Sequence, residues 1–165
     1  FTAGAQTPRF ANAALRMIAS NWRASGIVSA NTGNWLTVTT TRDLAFNGIP
    51  NQRVDQVKDS PYTASKSLTS YLDPSAFAFP ANGTLGSERA RGFEGPGFWK
   101  VDMSLARVIS LGLQRTMELR FETFNLLNNF NWGDPNVSLD AGTFGRITTQ
   151  TGDSRIMQFA VKYGF

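Results

Sequence analysis

Three segments in the second half of the chain alternate between apolar and polar residues with the two-residue period of a β-strand. They are residues 97–109, 116–127 and 155–165. The apolar face of the last segment is formed by Met157, Phe159, Val161, Tyr163 and Phe165. The apolar faces of the other two are formed by Trp99, Val101, Met103, Leu105, Met117, Leu119 and Phe121. The pattern predicts three long strands, each with one face that requires lipid or another subunit as its neighbour.

The first 41 residues are less regular. Residues 1–20 mix Ala, Asn and Thr and are predicted to be an N-terminal connecting segment, with weak helical character from Ala11 to Ile18. Residues 21–41 contain two runs rich in β-branched or aromatic residues, separated by turn-forming residues at 31–34. We therefore expect strand structure over 21–41, where the barrel-like part of the chain, residues 21–165, begins.

Pro and Gly punctuate residues 42–96, which predicts one long irregular loop of the extracellular type. A short helix is expected within it, from Ala64 to Leu72, because an Asp-Pro pair follows as a stop signal. A second loop, residues 128–143, is rich in Asn, and residues 144–149 are predicted to add a short strand. Long loops are uncommon in compact domains unless they are functional, so 42–96 is interpreted as a binding surface or a large insertion.

Strand length and connection length favour a membrane barrel over a soluble sandwich. The alternating segments are 11 to 13 residues long, whereas soluble strands average about 5–6 residues and a tilted membrane strand needs about 9–11. The connection at 110–115 is short and the loops are long, as in outer-membrane barrels, whose short turns are periplasmic. The predicted fold class is all-β, with long antiparallel strands of a bacterial outer-membrane barrel. The barrel is incomplete here and is completed by other chain segments or other subunits.

Aromatic and charged residues fit this orientation. Phe98 and Trp99 begin their strand at the expected outer interface, and Tyr163 and Phe165 end theirs at the inner one. Arg107 is the one charge on its apolar face and falls near the periplasmic end. A lipid-facing Arg costs about 0–1 kcal/mol there, against about 2–4 kcal/mol at the midplane.

Composition excludes several kinds of chemistry. The chain has no Cys and no His, so disulfides, thiolate catalysis, His-based catalysis and zinc sites of Cys or His are excluded. The net charge is +4, but the basic residues are single and interspersed with acids, which argues against a nucleic-acid partner. No apolar run approaches the roughly 20 residues that a transmembrane helix needs.

The remaining polar residues suggest no enzyme. Asp102, Glu118, Arg120 and Glu122 lie on polar strand faces. Paired carboxylates perform acid–base catalysis, but charges that face a wet barrel interior are expected to be solvated. We predict no catalytic residue and no cofactor.

Two loop features are candidate binding sites. Asp134, Asp140 and Asp153 are candidate calcium ligands, but their spacing matches no EF-hand loop, and no metal site is predicted. Phe130 and Trp132 are candidates to stack on a sugar or an aromatic ligand, although anchoring at the membrane interface is the preferred interpretation.

A series of runs, in order along the chain, points to one family. They are Trp22 to Ala30, Gly-Asn-Trp-Leu-Thr-Val at 33–38, Gly-Ile-Pro-Asn-Gln-Arg at 48–53, Asp-Pro-Ser-Ala-Phe at 73–77, Arg-Gly-Phe-Glu-Gly-Pro-Gly-Phe-Trp-Lys-Val-Asp-Met-Ser-Leu at 91–105, Glu-Thr-Phe-Asn-Leu-Leu-Asn at 122–128, Phe-Gly-Arg-Ile-Thr at 144–148, and the closing Phe165. Over nearly its whole length the chain resembles the C-terminal barrel region of TonB-dependent receptors. The subgroup it resembles has a carboxypeptidase-regulatory-like N-terminal domain.

The resemblance implies a receptor barrel of about 22 strands that imports a nutrient with energy from an inner-membrane complex. It implies that the last strand is the signal read by the barrel-assembly machinery, carried by Phe159, Val161, Tyr163 and Phe165. The implied partners are that machinery and outer-membrane lipid. The family's plug domain and energy-coupling box lie outside these residues.

A physical objection to the receptor assignment supports a second hypothesis. A few strands cannot close a barrel, and an open sheet leaves unpaired amides and carbonyls along both edges. Identical copies joined edge to edge would form a homo-oligomeric ring, tube or filament, outside the cell or at its surface. Assembly state distinguishes this structural role from that of a receptor.

Overall fold

A computed structural model describes residues 1–112 and 114–165; Leu113, in the predicted connection at 110–115, lies outside the described residues. In chain order the elements are β1 (Thr2–Gln6), α1 (Ala13–Ala19), β2 (Trp22–Asn31), β3 (Trp35–Leu36), β4 (Thr39–Thr40), β5 (Gln52–Arg53), β6 (Asp55–Gln56), β7 (Tyr62–Ser67), β8 (Ser70–Leu72), a 3₁₀ turn (Pro74–Ala76), β9 (Phe77–Ala78), β10 (Phe93–Glu94), β11 (Phe98–Gly112), β12 (Arg115–Phe124) and β13 (Ile156–Gly164). The all-β prediction is confirmed.

The first of two compact units comprises residues 1–30, 99–130 and 153–165. Its five strands form one sheet in the order β1-β2-β11-β12-β13. Two contacts show that β2 and β11 run in opposite directions. Val108 N donates to Asn21 O, and Gly26, later in β2, lies against Asp102 O, earlier in β11. β1 and β13 are the sheet edges, and the sheet does not close within the described residues. The predicted incomplete barrel is confirmed.

Strand register aligns the alternating positions of β11, β12 and β13. Residues directly opposite one another form four rows that cross the three strands. The rows are Met103–Thr123–Met157, Leu105–Phe121–Phe159, Arg107–Leu119–Val161 and Ile109–Met117–Tyr163. Since side chains alternate between the faces of a sheet, the rows form one continuous and mostly apolar face.

The second unit comprises residues 31–98 and 131–152, which connect β2 to β11 and β12 to β13. It contains four two-stranded ladders, β3 with β10, β4 with β5, β6 with β9 and β7 with β8. Its core is formed by Val38, Val54, Tyr71, Leu72, Ala76, Phe77, Phe93, Phe144 and Ile147. We call this second unit the loop unit. The predicted irregular loop 42–96 is therefore folded, together with part of the second loop, around a core of its own.

One expectation for the first 41 residues is wrong. The predicted connecting segment 1–20 begins with an edge strand, β1, in which Gln6 pairs with Arg23. Its small residues show no alternation, so no sequence pattern marked it. The two runs expected over 21–41 are present as β2 and as the short strands β3 and β4, and the chain turns between them at Gly33, where a Cβ would collide with Gly95 O. The helix expected from Ala11 to Ile18 is present as α1.

Two expectations within the loop unit are also wrong. The helix expected from Ala64 to Leu72 is the hairpin β7–β8, in which Tyr62 pairs with Leu72. Its Tyr and Thr residues favour strands, and its Ser residues favour turns over helix interiors. The strand expected at 144–149 is a turn that places Phe144 and Ile147 in the core. Gly145, with φ of 70°, makes that turn. No helix in residues 1–112 or 114–165 is long and apolar enough to cross a membrane.

Candidate membrane-facing surface and loop unit

The apolar rows of the sheet are exposed in the isolated chain. The exposed fractions of Phe159, Val161 and Tyr163 are 70%, 57% and 51%. Met103 and Phe121 are also exposed, whereas Val101, Leu105, Met117 and Leu119 are half-buried. A contiguous apolar surface of this kind requires an apolar partner, because ordinary soluble domains rarely leave one in water. The structure thus brings the predicted membrane-facing or subunit-facing residues onto one face.

The opposite face of the sheet carries the charges. Glu118 pairs with Arg120 at 2.8 Å and with Arg23 at 3.2 Å, and Arg120 lies 3.9 Å from Glu122. Asp102, at the other end of the strands, pairs with Lys100 at 2.8 Å. Each carboxylate faces a cation, which is the arrangement of a wet and electrostatically balanced surface.

Arg107, the charge on the apolar face, is covered by the chain itself. Its guanidinium lies over the Trp22 ring, 5.2 Å from the centroid. Its Nη2 donates to Met17 O in the last turn of α1, where a cation also interacts favourably with the helix dipole. Trp22 Nε1 donates to Ile18 O at 2.8 Å and so fixes the ring beside the helix. The sequence pattern located this charge but gave no sign that the Trp22 ring and the end of α1 would contact it.

An asparagine-rich clasp ends β12 and begins β13. The buried Asn125 donates from Nδ2 to Asn129 O and Asp153 O, and its Oδ1 accepts from Asn129 N at 2.8 Å. Its backbone N–H donates to Asp102 Oδ1 at 2.9 Å. Asn128 Oδ1 accepts from Arg155 N. Asn125 and Asn128 both have positive φ, which Asn tolerates better than most residues. The Asn-Leu-Leu-Asn-Asn run therefore has a structural role.

Aromatic rings pack edge to face in the core of the loop unit. Tyr71 lies 5.7 Å from Tyr62 and 6.4 Å from Trp132, between ring centroids. Burial, with a smaller effect of Tyr62, raises the pKa of Tyr71 to about 12. Lys66 Nζ lies 3.5 Å above the Tyr62 ring. Trp132 is thus a half-buried packing residue, while Phe130, in the sheet unit, is 54% exposed. Ligand stacking by either residue stays a prediction.

Glu88 is a buried carboxyl group in the loop unit. Its Oε1 accepts from Val38 N at 3.0 Å, and its backbone N–H donates to Val54 O. Its Oε2 has no hydrogen-bond partner among the described residues. Burial raises the pKa of Glu88 to about 7, although the Val38 amide and the charge of Arg53 act to lower it. The sequence gave no signal for this group, because a single Glu in a Gly-rich loop resembles a solvated one.

Short acid-centred turns hold the surface of the loop unit. Asp140 accepts from Thr40 Oγ1 and Thr41 N at 2.7 Å each and pairs with Arg42. Burial acts to raise the pKa of Asp140, but these hydrogen bonds outweigh it and hold the pKa low. The hydrogen bond from Lys58, with those from Ser75, lowers the pKa of Asp73 to about 2.

The three candidate calcium ligands have separate roles. Asp140 is held as described, Asp134 accepts from Asn34 Nδ2 at 2.8 Å, and the carbonyl of Asp153 belongs to the asparagine clasp. Within residues 1–112 and 114–165, no group of three or more Asp or Glu side chains is placed to hold a metal ion.

Comparison with known families agrees with this architecture. Residues 1–158 match a family model described as an outer membrane beta barrel domain. Searches of curated proteins and of solved structures gave no significant match. The family match covers most of the chain, including all of β1, β2, β11 and β12, and it confirms the predicted location in the bacterial outer membrane. The chain belongs to the outer membrane beta barrel domain family.

Proposed function

We propose that the chain is the C-terminal portion of a TonB-dependent outer-membrane receptor that takes up a nutrient. The proposal assigns it no enzymatic reaction. Its partners are outer-membrane lipid and the barrel-assembly machinery, and residues Phe159, Val161, Tyr163 and Phe165 carry the assembly signal.

The observation that carries this proposal is the folded loop unit. A simple diffusion pore needs only loops that leave its channel open. Here the segments after β2 and β12 instead build one compact unit with a closed core and its own ladders. A surface that is already folded around its own core suits capture of a specific ligand, because less conformational entropy is lost when the ligand binds.

The sheet supports the same proposal. β2, β11, β12 and β13 contain 10, 15, 10 and 9 residues, so each is long enough to cross a membrane as a tilted strand, which needs about 9–11 residues. The charged face opposite the apolar rows suits the polar interior of a barrel. The sequence runs that resemble TonB-dependent receptors, in the same order along the chain, support the receptor assignment.

Growth tests on single nutrients distinguish energised uptake from passive entry. The compared cells carry the full-length protein, lack it, or carry it without the inner-membrane energy-coupling complex. We expect growth on one nutrient at low concentration to be lost in both deficient strains. Growth that needs the protein but not the complex would indicate a passive pore and contradict the proposal.

The open edges of the sheet favour one alternative, a structural chain that assembles edge to edge. β1 and β13 each have one strand neighbour within the described residues, and unpaired edges are templates for association. Electron microscopy of the native material without detergent tests this alternative. Regular fibres or tubes would support it, whereas membrane-bound material with heat-dependent mobility on gels would contradict it.

A further inference from the structure

A cleft of about 650 Å³ lies beside α1 at one end of the sheet unit. Its lining includes Arg9, Arg16 and Arg107, with Val108, Ile109 and Gly112 from β11. No Asp or Glu is among the lining residues in the described part of the chain. Three guanidinium groups around one cleft without an acid create a strongly positive site, which suits an anion.

The arginines of the cleft keep unused donors. Arg9 and Arg16 are exposed and form no ion pair among residues 1–112 and 114–165. Arg107 uses Nη2 for Met17 O, and its Nε, which is buried, has no acceptor in the same described ranges. Each guanidinium has five N–H donors in a planar fork that matches phosphate oxygens.

The surroundings of the cleft are apolar. On α1 the exposed fractions of Leu15, Met17 and Ile18 are 52%, 72% and 66%, and no residue of this helix is buried. Leu111, at the end of β11, is 51% exposed. A short helix with bare apolar side chains and Arg residues is typical of a segment that lies in a membrane interface.

The cleft also lies at a defined depth in the membrane. It includes the end of β11, where the short β11–β12 connection follows, and short connections are periplasmic in bacterial barrels. The Ile109–Met117–Tyr163 row is the last apolar row before this end. A positive cleft at the edge of the apolar face meets lipid headgroups of the inner leaflet.

We propose that this cleft binds the phosphate of an anionic phospholipid, with Arg9, Arg16 and Arg107 as phosphate ligands. The acyl chains then lie along α1 and the lower apolar rows. The inference depends on membership of the outer-membrane barrel family and does not require that the protein imports a nutrient.

Native mass spectrometry of the full protein, released from membranes containing phosphatidylglycerol and phosphatidylethanolamine, tests the proposal. The variant combines Arg9→Gln and Arg16→Gln, because these exposed side chains hold no element in place. The control combines Arg89→Gln and Arg91→Gln, an equal charge change on exposed residues of the loop unit. Circular dichroism verifies that all three proteins fold alike.

The parent protein and the control are expected to retain phosphatidylglycerol in preference to phosphatidylethanolamine. The cleft variant is expected to lose that preference by about fivefold per arginine, or about 25-fold in total. Equal retention by the parent and the cleft variant overturns the proposal, as does an equal loss in the control. Release of the lipid by millimolar inorganic phosphate also overturns it, since the cleft would then be a site for free anions.

Discussion

The guanidinium of Arg107 lies 5.2 Å from the centroid of the Trp22 ring, and Arg107 also donates to the carbonyl of Met17. A charge on the apolar face of the sheet is thereby shielded by a ring and a helix end. The pair explains why an otherwise apolar face tolerates an arginine.

Replacing this ring removes the shield. We expect Trp22→Leu to lower the free energy of unfolding by roughly 2 kcal/mol, from the lost cation–π contact and the lost hydrogen bond to Ile18 O. Urea unfolding of the protein in detergent micelles measures this loss. The matched control is Trp35→Leu, since Trp35 is exposed in the loop unit. An equal effect of both substitutions would contradict the shielding role.

The asparagine clasp gives a second prediction. Asn125→Ala removes three side-chain hydrogen bonds of a buried residue with φ of 51°. Because the carbonyls of Asn129 and Asp153 lose their donor and Ala tolerates positive φ poorly, we expect a loss of roughly 2–4 kcal/mol in urea unfolding. Asn125→Gly retains the conformational freedom and isolates the hydrogen bonds. If Asn125→Gly unfolds like the parent protein, the clasp has no stabilising role.

The raised pKa of Glu88 predicts that the stability of the loop unit depends on pH. Its pKa rises from an ordinary value of 4.5 to about 7, so the folded state binds the proton more tightly than the unfolded state. The resulting stabilisation is complete below pH 4.5 and is lost as pH rises to about 7, by roughly 3 kcal/mol. The hydrogen-exchange rate of the Val38 amide, corrected for the intrinsic rate at each pH, measures this loss of stability.

The control for this prediction is a neutral amide at the same site. In Glu88→Gln the pH dependence of exchange over this window is expected to disappear, whereas Glu94→Gln, on a half-buried residue nearby, is expected to keep it. An unchanged profile in Glu88→Gln would show that another group is responsible.

The sequence predicted the sheet best where apolar and polar side chains alternate. β11, β12 and β13 each place their apolar residues on one face, so paired residues such as Leu119 and Val161 indicate both strand and register. β1 was missed because Ala3, Gly4 and Ala5 are held by backbone pairing, which leaves no trace in side-chain polarity.

The loop unit was harder to predict because long-range contacts determine it. Phe144 and Ile147 look like a strand in isolation, but they fill a core with Val38 and Leu72 from distant segments. Likewise, Arg107 was identified from its position, while its partners Trp22 and Met17 come from about 90 residues earlier. Chemistry assembled from distant residues cannot be seen in a local pattern.

The most direct test of the account asks which face of β13 meets lipid. The chain has no Cys, so single cysteines at positions 156–164 can each carry a spin label in protein reconstituted into bilayers. We predict accessibility to oxygen, which concentrates in lipid, to peak at Met157, Phe159, Val161 and Tyr163. Accessibility to a water-soluble nickel reagent is predicted to peak at Gln158, Ala160 and Lys162, with the opposite phase. Equal access of the nickel reagent to both faces, or oxygen maxima at the polar positions, would contradict the membrane-facing assignment.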